Sequence, residues 1–170
     1  MTPLRRAGPA DAGALARIHH CVWLECYGTL APPEAVAALT ETHRHDQWAR
    51  LLAGDDPVTL VAGASEPVGF VCFGAPTGPH LAGLGEIRHL YLLPDQRGRG
   101  QGRRLLAAAL AGLQVQGYPG AALAVVAENH AARAFYAAAG GRDDGAFTDK
   151  GPLWRSDNRL VTWRFPSGMA

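Results

Sequence analysis

The stretch PDQRGRGQGRRLL, residues 94–106, sets three glycines at alternate positions among arginine and glutamine side chains and then continues into an apolar segment. The first turn of a helix leaves backbone N–H groups without intrahelical partners, and the helix dipole adds partial positive charge there. Glycines let the backbone approach an anion closely and adopt positive φ, and the arginines add charge. The stretch therefore predicts a phosphate-binding loop where a helix begins. The alternative is a glycine-rich turn with a solvated basic face.

The spacing of this loop separates it from two common phosphate-binding motifs. A Walker A loop needs a Lys-Ser or Lys-Thr pair after its last glycine, where this chain has Arg103-Arg104. A dinucleotide fingerprint needs G-x-G-x-x-G, whereas Gly98, Gly100 and Gly102 give G-x-G-x-G. No acidic residue follows at the offset of about 20 residues that would bind a ribose.

Strands and helices alternate around the loop and must position it. Runs rich in β-branched and aromatic residues predict seven strands, at Leu4 to Ala7, 58–62, 67–75, 85–93, 121–127, 142–148 and 159–165. The second and third form a hairpin through Ser65-Glu66-Pro67. Residues 84–127 form one β-α-β unit, so its two strands should be parallel neighbours.

Four helices are predicted between the strands. Pro9 and Asp11 open the first helix, whose buried face should hold Leu15, Ile18 and Val22. After the break at Gly28 and Pro32-Pro33, a second helix should run through Val36 and Leu39 towards Trp48 and Leu51. The third helix follows the glycine loop, and the fourth begins at Asn129 as its N-cap.

Composition narrows the class of protein. The length of 170 residues predicts one domain, residues 1–170, with a substantial core. A net charge of +1 argues against a nucleic-acid binder or a polybasic membrane module. Three cysteines without metal-binding spacing indicate reduced thiols in a cytoplasmic protein. No metal is expected at the His43 and His45 pair, because no third ligand is near in sequence, and the role of the pair stays open.

Two motifs occur in an order that points to one enzyme superfamily. Arg97 to Gly102 fits R-x-x-G-x-G after a strand and Pro94, and Asn129 to Tyr136, NHAARAFY, fits N-x-x-A-x-x-F-Y on the next helix. With the order of elements, these motifs resemble the GNAT-type N-acetyltransferase superfamily. The resemblance covers nearly the whole chain and is specific over residues 84–140. Gly140-Gly141 departs from the Gly-Phe that is common at this point in the family.

The resemblance implies an α/β fold with a mixed, mostly antiparallel twisted sheet, flanked by helices and splayed between the fourth and fifth strands. It implies acetyl-CoA as co-substrate, with its pyrophosphate on the loop amides and its pantetheine arm along the strand before the loop. The implied CoA-binding residues are Leu90, Tyr91, Leu92, Arg97, Gly98, Arg99, Gly100, Gln101, Gly102 and Asn129. Arg103 and Arg104 are either a solvated face or contacts of the 3′-phosphate.

Acetyl transfer to an amine needs a base, because an alkyl ammonium has a pKa near ~10.4 and is not nucleophilic. Glu86 is the candidate base, directly or through water, on the strand that enters the loop. Period-2 alternation puts it on the same face as Arg88, Leu90 and Leu92. The alternative is a solvent-exposed carboxylate at the strand end, or one paired with Arg88.

The family motif makes Tyr136 the candidate acid for the departing thiolate. Phe135 and Tyr136 are about 100° apart on a helix, so one ring should pack into the core and the other elsewhere. The alternative for Tyr136 is a core aromatic with a satisfied hydroxyl. The resemblance also implies Trp23, Glu25 and Tyr27 as the acceptor wall, because family members use this first helical region to contact the substrate. The alternative is ordinary packing for Trp23 and solvent exposure for Glu25.

We therefore expect an N-acetyltransferase that moves the acetyl group of acetyl-CoA to a primary amine by direct attack in a ternary complex. No cysteine lies in a recognisable nucleophile motif, so no acetyl-enzyme is expected. The alternative function is a non-catalytic CoA-binding sensor or interaction domain. A small-molecule acceptor is favoured over a protein, and the sequence leaves a homodimer open.

Overall fold

The structure, a computed structural model, describes residues 3–81 and 83–167. Residues 1, 2, 82 and 168–170, which the sequence analysis includes in one domain, lie outside the described part of the chain. The strands and α-helices of the described part are, in order, β1 (Leu4–Arg6), α1 (Ala12–Tyr27), α2 (Pro33–Ala38), α3 (Glu41–Leu52), β2 (Val58–Ala62), β3 (Gly69–Gly74), β4 (Gly85–Leu92), α4 (Gln101–Val115), β5 (Gly120–Val126), α5 (His130–Ala138), β6 (Arg142–Thr148) and β7 (Asp157–Arg164). None of these helices combines the length and the apolar character that a membrane span requires.

All seven strands join one sheet in the order β1-β2-β3-β4-β5-β7-β6. Neighbouring strands are antiparallel except β4 and β5, which are parallel because α4 returns the chain across the sheet between them. The predicted mixed, mostly antiparallel sheet with flanking helices is confirmed. β4 and β5 pair only through Gly85 with Ala121 and Glu86 with Ala122. The two strands separate beyond these pairs, which confirms the predicted splay.

Helices cover both faces of the sheet because its central strand is apolar on both sides. All six residues of β3 are buried. Val71 and Phe73 belong to a core cluster with the apolar side of α4. Phe70 and Cys72 point the other way, into a cluster with α1 and with Trp48 of α3. The splayed strands are therefore held between two packed layers of helices.

The first predicted helix is confirmed, and it buries the three residues expected to share a face, Leu15, Ile18 and Val22. The extent of the second predicted helix is wrong, because the chain forms α2 and α3 there. Leu39 leaves the helical region with ψ 55°. Thr40 then caps α3, its hydroxyl oxygen accepting the His43 N–H at 3.1 Å. The apolar residues continue through this break, but a threonine hydroxyl that competes for the backbone starts a new helix.

A β-bulge interrupts the pairing of β4 with β3. Phe73 lies opposite Ile87, whereas the preceding residue, Cys72, lies opposite His89. Arg88 is therefore an extra residue in β4 with no partner in the register. Such a bulge shifts the alternation of side chains in all residues that follow it.

The bulge overturns one prediction about the faces of β4. Glu86 precedes the bulge and lies opposite a glycine of β3. Beyond the bulge, Leu90 and Leu92 pack in the cluster beneath α4. His89 and Tyr91 instead pack their rings against a histidine of α1. Glu86 therefore does not lie on the same face of β4 as Leu90 and Leu92. The predicted shared face is wrong because the extra residue in the bulge, Arg88, shifts the alternation of side chains.

Candidate active site

A cleft of about 520 Å³ opens where β4 and β5 separate. Its walls are β4 from Ile87 to Leu92, β5 from Leu123 to Val125, and α5, with the glycine-rich loop at one end. β3 pairs with one edge of β4, but beyond Glu86 the other edge has no partner among the described strands. The backbone N–H and C=O groups of this free edge can hydrogen-bond an extended ligand that adds to the sheet.

The glycine-rich loop presents backbone amides at the end of the cleft. Gly98 and Gly100 have φ of 73° and 78°, left-handed values that glycine adopts without steric cost. The first hydrogen bond of α4 runs from the Arg104 N–H to the Gly100 carbonyl, so the amides of residues 101–103 precede the helical ladder. Within the described chain, the amides of residues 98–100 donate to no backbone carbonyl, and no side chain caps the helix. This row of amides suits an anion such as pyrophosphate.

Arg97 at the start of the loop is tied to the first helix. Glu25 of α1 accepts two hydrogen bonds from its guanidinium, at 2.9 and 2.7 Å, and the Leu92 carbonyl accepts a third from Nε at 3.2 Å. The Glu25 carboxylate raises the pKa of Arg97. Both side chains are about 40% exposed, so the pair contributes less than ~1 kcal/mol to stability. Its main consequence is geometric, since it fixes the loop against α1.

Asn129 joins two parts of the candidate site. Its Oδ1 accepts the Ala132 N–H at 3.2 Å, which confirms it as the N-cap of α5. Its Nδ2 donates to the Tyr27 hydroxyl at 2.9 Å. Burial raises the pKa of Tyr27. A predicted CoA-binding residue and a predicted acceptor-wall residue are therefore hydrogen-bonded neighbours at the cleft.

Tyr136 is buried and borders the cleft. Its ring packs edge-on against Trp163 at 6.1 Å between centroids. Phe135 lines the same cleft and packs against the same core cluster, so the expectation that the two rings would point to different environments is wrong. Burial raises the pKa of Tyr136, which keeps the phenol protonated at neutral pH. No group in the described chain hydrogen-bonds its hydroxyl, so a satisfied buried hydroxyl does not explain this tyrosine.

Glu86 lies at the closed end of the splay and outside the residues that line the cleft. Its Oε2 accepts the Thr77 N–H at 2.8 Å and lies 4.0 Å from the Arg88 Nε. The side chain is only 15% exposed. The structure therefore places the candidate base beside an arginine, one strand position before the cleft wall.

Trp23 is buried among other aromatic rings. Its ring centroid lies 6.1 Å from that of Tyr27 and 6.2 Å from that of Trp154, which precedes β7. Trp154 also borders a second, open cavity of about 670 Å³ between residues 30–33 and residues 152–155. The ring of Trp154 also packs on Tyr27, which lines the cleft, so contacting aromatic rings connect the borders of the two cavities.

Most predicted site residues line the cleft: Tyr27, Leu90, Tyr91, Leu92, Arg97, Gly98, Gly100, Gly102, Asn129 and Tyr136. The side chains of Trp23, Glu25, Glu86, Arg99 and Gln101 are not part of its lining. His89 and Cys26 line the cleft but were assigned no role from the sequence. Burial lowers the pKa of His89 to about 3, so its imidazole is neutral, and burial raises the pKa of the Cys26 thiol. Neither residue belongs to the motifs found in the sequence, and α1 and β4 bring them to the cleft wall only in the folded chain.

Metal ligation finds no support in the described part of the chain, where no group of three or more His, Cys, Asp or Glu side chains could hold an ion. His43 and His45 are both exposed on α3.

Comparison with known proteins places these features in context. The model of the acetyltransferase (GNAT) family matches residues 16–140. No curated protein matches the sequence significantly. Among solved structures, a PaiA N-acetyltransferase from Thermoplasma acidophilum in complex with coenzyme A is similar, with 19% identity, a TM-score of 0.74 and coverage of 97% of this chain and 99% of that one.

Two further structures share the fold. YncA from Salmonella typhimurium with its cofactor acetyl-CoA has 20% identity, a TM-score of 0.73 and coverage of 100% of this chain and 97% of its own. A ribosomal-protein-alanine N-acetyltransferase from Brucella melitensis has 23% identity, a TM-score of 0.74 and coverage of 96% of this chain and 99% of its own. At these identities the likeness establishes the fold alone.

Proposed function

The chain belongs to the acetyltransferase (GNAT) family, and we propose that it is an enzyme that transfers the acetyl group of acetyl-CoA to a primary amine. The observation that carries this proposal is the cleft, which combines a free strand edge along β4 with unpaired loop amides at one end. An extended pantetheine arm and a pyrophosphate need these two features in this order. The single sheet that contains all seven strands supports residues 1–170 as one such domain.

The residues at the cleft fit acetyl-CoA, which would supply an activated thioester. The loop amides from Arg97 to Gly102 would hold the pyrophosphate, and the free backbone edge of Leu90 to Leu92 would hold the pantetheine arm. Asn129 would contact the arm from α5, its orientation set by the hydrogen bond to Tyr27. A side chain of any size at the left-handed loop glycines would compete with the phosphate for the same space.

The acceptor amine must lose a proton before it can attack, because its ammonium has a pKa near ~10.4. We assign the proton acceptor to Glu86. Its carboxylate lies outside the cleft lining and is engaged by Thr77, so transfer through a water molecule fits its position better than direct contact. Through such a water, the Glu86 carboxylate accepts the proton of the ammonium. The neutral amine then attacks the thioester.

Tyr136 is the proton donor to the departing thiolate in this proposal. Burial raises its pKa, which keeps the hydroxyl protonated in the neutral range but makes it a weaker acid than a free tyrosine, and a modest rate contribution is therefore expected of it. The Cys26 thiol is held protonated by burial, which makes it a poor nucleophile and favours direct attack of the amine over an acetyl-enzyme.

The outer cavity is the proposed entrance for the acceptor. Trp154 borders this cavity and packs on Tyr27, which lines the cleft. The three cysteines are free thiols, which supports a reducing, cytoplasmic location.

Thiol release from acetyl-CoA, measured with a panel of alkylamines, amino acids, aminoglycosides and peptides, tests the function. We expect turnover with at least one class, and calorimetry should show acetyl-CoA binding without any amine. Binding without thiol release by any amine would refute the enzyme and leave a CoA-binding domain. Absence of binding would refute the site itself.

A further inference from the structure

Three tyrosines line the cleft, and only one of them has its hydroxyl held by another side chain. The hydroxyls of Tyr91 and Tyr136 make no hydrogen bond to the described residues. The hydroxyl of Tyr27 accepts a hydrogen bond from the Asn129 Nδ2 at 2.9 Å. A hydroxyl that is oriented before a ligand arrives is better suited to a specific contact than one that is free to rotate.

The helix cap made by Asn129 fixes the direction of this hydrogen bond. The Asn129 Oδ1 accepts the Ala132 N–H at 3.2 Å, so the NH2 group of the amide must face Tyr27. An amide NH2 group donates hydrogen bonds and does not accept them. The Tyr27 oxygen is therefore the acceptor, and its own proton takes no part in the bond. Among residues 3–81 and 83–167, no other group accepts that proton.

The O–H group of Tyr27 lies at the cleft. Only 9% of the residue is exposed, and its ring packs in a buried cluster with Trp23, Ala35 and Val126. This packing covers the ring, while the hydroxyl end meets Asn129, which lines the cleft together with Tyr27. Buried hydroxyl donors are paired as a rule, so this O–H needs an acceptor on a ligand in the cleft.

Tyr27 contacts residues assigned to both ligands of the proposed reaction. Its hydroxyl contacts Asn129, which is proposed to hold the pantetheine arm. Its ring packs on Trp154 with centroids 5.7 Å apart, and Trp154 borders the cavity proposed as the entrance for the amine. The thioester is the part of acetyl-CoA that the amine must reach. Its carbonyl oxygen is therefore the hydrogen-bond acceptor expected where these two groups of residues meet.

We propose that Tyr27 is a further catalytic residue, which donates a hydrogen bond to the carbonyl oxygen of the acetyl thioester, and that Asn129 positions its hydroxyl. This inference rests on the proposed acetyltransferase function. As the amine nitrogen bonds to the acetyl carbon, an electron pair of the C=O bond moves onto the oxygen, where the Tyr27 O–H stabilises the charge. The pair returns as the C–S bond breaks and the thiolate leaves. Of the two protons that the ammonium loses in all, one ends on the CoA thiol and one in solvent.

A hydrogen bond without proton transfer suits this hydroxyl. Burial raises the pKa of Tyr27, so its O–H stays protonated at neutral pH. The hydrogen bond from Asn129 to the phenol oxygen acts on this pKa in the opposite direction. Hydrogen bonds in a chain polarise one another, so Tyr27 should be a stronger donor than Tyr136, whose oxygen receives no such bond from the described residues.

The carbonyl stretch of bound acetyl-CoA tests the contact without turnover. Infrared difference spectra are recorded with acetyl-CoA that carries an isotope label at the acetyl carbonyl. The proteins are the wild type, Tyr27→Phe and the control Tyr118→Phe, whose ring lies outside the cleft lining. A hydrogen bond weakens the C=O bond, so the stretch should move to higher frequency in Tyr27→Phe alone. The same stretch in all three proteins would overturn the proposal.

Turnover separates catalysis by Tyr27 from simple binding. Tyr27→Phe should lower kcat ~10²- to 10³-fold, the effect of removing one oxyanion donor, and should leave the Kd of acetyl-CoA within about 3-fold. Tyr118→Phe should change neither quantity. An equal rise in the Kd of CoA and acetyl-CoA with kcat retained would assign Tyr27 to the pantetheine arm and overturn the proposal. No turnover of any amine by protein that binds acetyl-CoA would refute the proposed function, and the catalytic role with it.

Asn129→Asp tests the positioning role. Aspartate can still cap α5, but it offers no N–H to Tyr27, whose O–H would turn to the carboxylate and away from the cleft. The kcat should fall at least as far as in Tyr27→Phe, and the carbonyl stretch should again move to higher frequency. The double variant should be no slower than the slower single variant, because both changes remove the same donor. Single effects that multiply in the double variant would show independent roles and overturn the positioning by Asn129. If Tyr27→Phe does not fold, Asn129→Asp decides, since wild-type kcat and stretch in that variant would overturn the proposal.

Discussion

Replacing Gly100 with alanine tests whether the loop amides bind the pyrophosphate of CoA. Gly100 caps α4 with φ 78°, and a Cβ there would meet no protein atom within 4 Å. The apoprotein should therefore lose only the cost of a left-handed alanine, ~1–2 kcal/mol. The methyl group would stand among the amides proposed to hold the pyrophosphate. Losing one charge-assisted hydrogen bond costs ~1.5–3 kcal/mol, so the Kd of acetyl-CoA should rise ~10- to 100-fold, as measured by calorimetry on folded protein.

Gly117 provides a matched control at the other end of α4. Its φ is 89°, its Cβ would also meet no protein atom, and it does not line the cleft. Gly117→Ala should therefore lose the same ~1–2 kcal/mol of unfolding free energy and leave the Kd unchanged. Wild-type affinity in folded Gly100→Ala protein, or an equal loss of affinity in both variants, would refute the proposed role of the loop.

Three further changes test the remaining assignments. Tyr136→Phe should lower kcat ~10- to 100-fold with little change in Tm, because no group in the described chain hydrogen-bonds the hydroxyl; a lower Tm with full turnover would remove Tyr136 from the mechanism. Glu86→Gln should lower kcat and abolish the acidic limb of the pH–rate profile with little effect on acetyl-CoA affinity, and an unchanged profile would place the base elsewhere. The two hydrogen bonds from Arg5 hold the pKa of Asp11 below its usual value, so their stabilisation is present above pH ~4 and is lost as the pH falls through the lowered pKa. Asp11→Asn should therefore cost ~1 kcal/mol by urea denaturation at neutral pH, and a gap that persists undiminished at pH 2 would contradict this.

Local signals were sufficient for the parts of the fold whose structure depends on neighbouring residues. The hairpin of β2 and β3 was predicted from β-rich runs around Ser65-Glu66-Pro67, and the structure pairs these strands. Asn129 was predicted as an N-cap because its side chain needs only the backbone N–H three residues later. The left-handed loop glycines follow from the same short-range logic, since only glycine accepts that backbone conformation cheaply.

Two errors show where local reasoning stops. The helix break before α3 was missed because apolar periodicity continued through Leu39, although Thr40 carried a capping signal. The bulge at Arg88 had no signal in β4 itself, because a bulge is a mismatch in register between two strands. Counting every second residue along β4 therefore placed Glu86 on the face of Leu90 and Leu92, where the structure does not have it.

The amino-acid sequence by itself determined the order of the elements, the anion-binding loop and the family, because each depends on residues close together in the chain. Only the tertiary structure decided which distant side chains meet. Glu25 reaches Arg97, Tyr27 reaches Asn129, and the Arg44 guanidinium stands over Trp23. Among the ion pairs of residues 3–81 and 83–167, none includes this buried arginine. Which charged side chains pair depends on which residues are neighbours in the fold. The sequence therefore shows the charged residues but not which of them lack a partner.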